Sequence, residues 1–111
     1  MPHRDLDVLD AAEGAAVLVN ALIDRSRRGL VVVRQLQKAA MSVPLNIGEG
    51  FGRERGADRN YKLVVARGEA EEVIKSLRMN YRSSRIAERE YWPLHHRYVA
   101  IVKMLDSLLN S

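Results

Sequence analysis

Lys75, Arg78, Arg82 and Arg85 recur at steps of three, four and three residues, and Arg89 extends the line. On a helix this spacing stacks the cations along one side. The chemistry open to such a ridge is electrostatic: it would neutralise phosphates, release their counterions and bind less tightly as salt rises. The plain alternative is a solvated helix face, partly matched by Glu71. Arginine outnumbers lysine 14 to 4, and the planar guanidinium fork suits phosphate recognition. A second basic group, Arg53, Arg55 and Arg59, falls on a loop between helical segments. A third, Arg25, Arg27 and Arg28, sits in a last helical turn, where cations favour the negative end of the dipole.

Ser42, Asn46, Glu49 and Arg53 are spaced four, three and four apart and share one stripe. If buried, these groups must satisfy one another or a facing backbone, so a structural polar network is expected, within the bundle or between subunits. Ser42 and Asn46 could also take up groups freed around Pro44. Gly48-Glu-Gly-Phe-Gly52 superficially suggests a phosphate loop, which needs a strand before it and a helix after it. Here the glycines end a helical pattern and no Lys-Ser/Thr follows, so close helix approach or a helix stop is expected.

Catalysis finds little to work with. Adjacent His95 and His96 diverge by about 100° on a helix and cannot chelate one metal; no cysteine exists, and no histidine–carboxylate set has ligand spacing. No metal or cofactor is expected. Arg89 and His95 resemble the Arg-x(4–6)-His element of helical ribonucleases, a spacing that 14 arginines produce easily by chance. Neither a Ser-His-Asp set nor paired carboxylates stand out, so the expectation is a binding protein, not an enzyme. Trp92, with Tyr91 and Pro93, could be a stacking platform, but sealing the bundle end is the commoner use.

The elements that must carry these residues are helices. Val8, Ala12, Ala15, Val19 and Leu22 mark one apolar face over about Asp7 to Arg27, with Gly29 placed to take a left-handed position after it. Leu30, Val33, Leu36, Ala40, Val43 and Ile47 mark a second segment, to about Arg53. Pro44 inside it removes the bond to the Ala40 carbonyl and predicts a kink or interruption. Leu63, Ala66, Ala70, Val73, Leu77 and Tyr81 mark a third, from about Asp58 to Ser83, with Ser83-Ser84 as its exit. Leu94, Tyr98, Ile101, Leu105 and Leu108 mark a fourth, Glu88 to Leu109. Short connections predict an all-α, antiparallel up-down-up-down four-helix bundle, one domain over residues 1–111.

The bulk composition agrees. Hydrophobic residues are 47%, charged residues 29% and aromatic residues 5%, which suits a helical globule. No apolar run approaches the roughly 20 residues that cross a bilayer, so no membrane partner is expected. The first residues lack a signal peptide's basic-then-apolar order, so a cytoplasmic protein is expected. Residues 1–24 carry −4 and the remainder +8, within a total of +4. Such asymmetry suits a basic face for nucleic acid, or acidic and basic surfaces meeting between subunits.

Gln35-Leu-Gln-Lys-Ala-Ala-Met-Ser-Val-Pro-Leu-Asn-Ile-Gly-Glu-Gly-Phe-Gly-Arg53 resembles the signature of four-helix-bundle proteins encoded in intervening sequences of bacterial large-subunit ribosomal RNA genes. The same superfamily includes the accessory protein of diversity-generating retroelements. Tyr61-Lys-Leu-Val-Val-Ala66, with Gly68 and Glu72, is similar to the family's third helix, and Glu88-Arg-Glu-Tyr91 and Lys103-Met-Leu105 to its fourth. Gly48 and Glu69 depart from the family's usual Ala and Ser. The resemblance implies a ring-like homo-oligomer, typically a pentamer, and an adaptor that binds a reverse transcriptase and nucleic acid. The function expected is therefore a non-catalytic homo-oligomeric scaffold binding RNA or a nucleic-acid enzyme through its basic surface. A purely protein-binding assembly factor and a small ribonuclease using Arg89 and His95 are the alternatives.

Overall fold

The structure, a computed structural model, describes residues 3–110. Four helices fill it: α1 His3–Ser26, α2 Val33–Phe51, α3 Ala57–Arg82 and α4 Glu88–Leu109. No strand occurs among the described residues. Neighbours in sequence pack as neighbours in space, and α4 closes the square against α1. The result is an up-down-up-down bundle about 43 Å long. The faces read from periodicity are the core: Val8, Ala12, Ala15, Val19, Leu36, Ile47, Leu63, Leu77, Tyr98 and Leu105 are all fully buried. Tyr98 carries its hydroxyl into that core without a partner among the described residues, and burial pushes its phenol pKa well above the usual value.

Helix α2 runs uninterrupted through Pro44, so the proline does not break it. The glycines near its end divide their labour. Gly52 follows the last helical residue and caps it, its N–H bonding to the Gly48 carbonyl. Gly50 is buried against α3, where an added Cβ would come 3.2 Å from Lys62 Cβ and 3.3 Å from Leu63 Cδ2. Gly48 has nothing within 4 Å of an added Cβ. Gly48→Ala is therefore expected to stabilise the helix by about 0.5–1 kcal/mol, the cost of glycine in a helix interior. Thermal unfolding checks it; a lower melting temperature for this variant would contradict the open space.

The connection between α1 and α2 departs from the sequence reading. A 3-10 turn, Arg27–Gly29, ends α1, and Gly29 does not take the left-handed position. Val32 takes it instead, at φ +49°, a conformation unusual for a β-branched residue. Leu30 is buried but extended, so α2 starts three residues later than periodicity suggests. The reason is on α3. Fully buried Asn80 accepts the Val31 N–H at 2.8 Å and donates its amide to the Val31 carbonyl at 3.1 Å and the Ser76 carbonyl at 2.8 Å. Both backbone groups of Val31 are thus taken by one side chain, which holds the segment out of the helix.

The exit from α3 does follow the sequence reading. Ser84 adopts φ +59°, while the Ser84 and Arg85 N–H groups bond back to the Tyr81 and Asn80 carbonyls. This reciprocal pair satisfies carbonyls that the helix end would orphan.

Candidate nucleic-acid interface

Antiparallel packing brings the end of α1, the start of α2, the end of α3 and the start of α4 to one end of the bundle. Residues 24–38 and 75–90 build that end. They contain ten basic residues and three acidic ones, a balance of +7. The rest of the chain is left with −3. Charge asymmetry along the chain has become asymmetry along the bundle axis.

Within this end, Lys75, Arg78 and Arg82 are exposed on α3. The side chains of Arg27, Arg28, Lys75, Arg82 and Arg89 make no ion pair or hydrogen bond among the described residues. Arg85 leaves the expected ridge. It lies beyond α3, donates to the Gly29 carbonyl at 3.2 Å, and joins Arg25, Arg27 and Arg28 around an open hollow of about 580 Å³. Arg25 there pairs with Glu90 at 3.0 Å. The ridge on α3 is thus Lys75, Arg78 and Arg82, with the predicted fourth member, Arg85, in a separate cluster beside it.

The second predicted group is split. Arg53 and Arg55 are exposed, at the far end of the molecule from the ridge. Arg59 is no surface cation: its guanidinium lies 3.4 Å from the carboxylate of buried Asp5 and 4.9 Å from the centre of the Phe51 ring. It neutralises a buried acid that an apolar bundle end would otherwise leave unpaired. Arg59 is therefore corrected from a phosphate contact to a structural one.

The polar stripe on α2 is also looser than expected. Asn46 donates to the Ser42 carbonyl at 2.9 Å, a bond within one helical turn. Glu49 reaches across to Lys62 on α3 at 2.7 Å. The hydrogen bond and charge of Lys62 hold the Glu49 carboxyl below its ordinary pKa, with Arg53 adding a smaller pull. Ser42, Asn46, Glu49 and Arg53 thus form no closed side-chain network, and the stripe is half exposed.

Arg89 and His95, six positions apart, leave α4 about 120° from each other. His95 shares its Nδ1 with the Tyr91 hydroxyl at 3.3 Å. Its pKa is lowered by burial first, then by His96 and Arg78. No three metal-ligating side chains cluster among the described residues, and no described helix is long and apolar enough to cross a membrane.

One feature was missed by sequence reasoning, and another was read only in part, from Tyr91, Trp92 and Pro93. Between α1 and α2 lies an apolar hollow of about 300 Å³, rimmed by Val17, Met41 and Leu45, which are 66%, 44% and 61% exposed. Met41 and Leu45 stand one turn apart on α2, but Val17 joins them only through the packing of α1 on α2. The other is a continuous group of five rings, Tyr81, Tyr91, Trp92, His95 and His96, where α3 meets α4. Its members on α4 are close in sequence, but Tyr81 joins only through the fold.

A solved structure from Bacteroides thetaiotaomicron, of a protein of unknown function from the S23 ribosomal protein family, superposes with a TM-score of 0.90. The two sequences are 25% identical, and the match covers 97% of this chain and 99% of that one. No curated protein matches the sequence significantly. The model of the 23S rRNA-intervening sequence proteins matches residues 4–107. That span runs from the first turns of α1 to the end of α4, and the chain belongs to the 23S rRNA-intervening sequence protein family.

Proposed function

We propose that this protein is a non-catalytic, homo-oligomeric scaffold whose basic end binds RNA. The observation that carries the reading is the +7 balance of residues 24–38 and 75–90, with most of its arginines unpaired. Cations placed to stabilise the fold would be matched by carboxylates, as Arg59 and Lys62 are. Unmatched ones repel each other and favour an anionic partner. Contacts of this kind go to phosphates, so sequence preference should be weak.

Self-association is supported by the hollow between α1 and α2. Three large apolar side chains face solvent there. A second copy would cover them. The −3 remainder of the chain offers a complementary surface for the basic end of a neighbour, and assembly would multiply the RNA contacts. A nucleic-acid enzyme such as a reverse transcriptase, implied by the family resemblance, would use the same basic end indirectly, through the RNA it holds.

Sedimentation of the purified protein with and without RNA tests both halves. The expected result is a particle several times the 12.6 kDa of one chain, shifting further when RNA is added. A particle of single-chain mass rejects the oligomer. An unshifted oligomer rejects RNA binding and leaves the purely protein-binding assembly factor.

A further inference from the structure

The ring cluster between α3 and α4 is built unlike a seal. Tyr81 and Tyr91 stack at 4.3 Å with planes 4° apart, and Tyr91 is almost wholly buried. Trp92 stands nearly edge-on to this pair, 4.9 Å from Tyr91 and 5.9 Å from Tyr81, and His95 and His96 complete its surround. Its indole is fixed on several sides yet remains 43% exposed. A ring that only closed the bundle would turn its area inward, as Tyr98 does.

Basic groups outnumber acidic ones around it, although the Glu88 carboxylate accepts the Tyr81 hydroxyl at 3.2 Å. Arg89 lies one turn before Trp92 on α4, on the neighbouring face, and Arg78 and Arg82 sit on the adjoining part of α3. Arg78 is close enough to act on His95. A held aromatic face among unpaired guanidinium groups is the arrangement that stacks a base while its phosphates are neutralised. A blunt duplex offers no such base, because its rings are already stacked on each other.

We propose that Trp92 is a stacking site for an unpaired nucleobase, so that the basic end prefers single-stranded nucleic acid over duplex. This rests on the RNA-binding reading above and adds the strand preference to it. Trp92 is the single tryptophan of the chain, so intrinsic fluorescence reports this site alone. The probes are a ten-residue oligouridylate, an abasic oligonucleotide of equal length and a blunt RNA duplex. Oligouridylate is expected to quench the fluorescence as it binds; the abasic strand should bind without comparable quenching. Trp92→Ala should weaken oligouridylate binding about tenfold, the usual size for loss of one stacked base, and leave duplex binding and its salt dependence unchanged. Trp92→Phe should recover part of the loss.

Quenching needs no variant, so the idea stays testable even if Trp92→Ala folds poorly. If all three probes bind with steep salt dependence and none quenches Trp92, the stacking site is overturned while the basic end stands. If none of them binds, both readings fail together.

Discussion

Asn80→Ala is expected to lower stability by about 3 kcal/mol, because it strands buried polar groups. The wild-type amide satisfies the Val31 N–H, the Val31 carbonyl and the Ser76 carbonyl at once. Truncation leaves all three without that partner at a site where Asn80 itself is fully buried. It also frees a connection held in an unfavourable shape, since Val32 sits at φ +49° only while Val31 is tied down on both sides. For a domain of this size that loss corresponds to a melting-temperature drop of about 10–15 °C. Asn80→Asp should be at least as damaging: one carboxylate oxygen would face the carbonyls that Nδ2 now serves. Urea or thermal unfolding decides the matter. A loss below about 0.5 kcal/mol, the range of an ordinary surface change, would mean that Asn80 does not organise this end of the bundle.

The second large effect concerns binding. Arg78→Glu/Arg82→Glu should reduce RNA affinity on the order of 100-fold at low salt, since two phosphate contacts are removed and two repulsive charges put in their place. Both side chains are exposed on α3 and neither bridges to a carboxylate among the described residues, so folding should be little changed. Arg53→Glu/Arg55→Glu makes the same charge change at the opposite end of a 43 Å molecule. Its effect is expected to stay within about threefold, that of distant charges screened by salt. Equal losses from the two pairs would show that net charge alone drives binding, and that the basic end has no special part. Arg59 is unsuitable as a control, because reversing it would set an acid against buried Asp5.

These expectations show how far the sequence could be read. The helix faces were legible because burial imposes a period: Val8 to Leu22 and Leu63 to Leu77 are core positions at the steps a helix requires. The glycines of α2 were legible too, since Gly50 and Gly52 do what close approach and a helix stop demand. Boundaries failed where a distant residue decides them. Leu30 fits the apolar period of α2 but is kept outside by Asn80, 49 positions beyond Val31. In the sequence, Asn80 looks like nothing more than a polar residue near a helix end.

The basic residues divide on the same principle. Lys75, Arg78 and Arg82 lie exposed on α3 as their spacing suggests, because spacing alone sets their face. Arg59 was misplaced because its partner, Asp5, lies 54 residues away. Arg85 was misplaced because the turn at Ser84 carries it off the helix axis and onto Gly29. The ring cluster needed the fold as well: Tyr81 and Tyr91 stack only because α3 and α4 run antiparallel across a short turn. Local spacing yields faces; pairing across the bundle decides which charged and aromatic groups remain available.

The central claim is that an unpaired arginine surface at one end of the bundle holds RNA by its phosphates. Its most direct test is the affinity of the wild-type protein for a single-stranded RNA across a range of salt concentrations. With three or more phosphates neutralised, the logarithm of the association constant should fall against the logarithm of salt with a slope of about −2 or steeper. A slope near zero, or no measurable association at low salt, would contradict it.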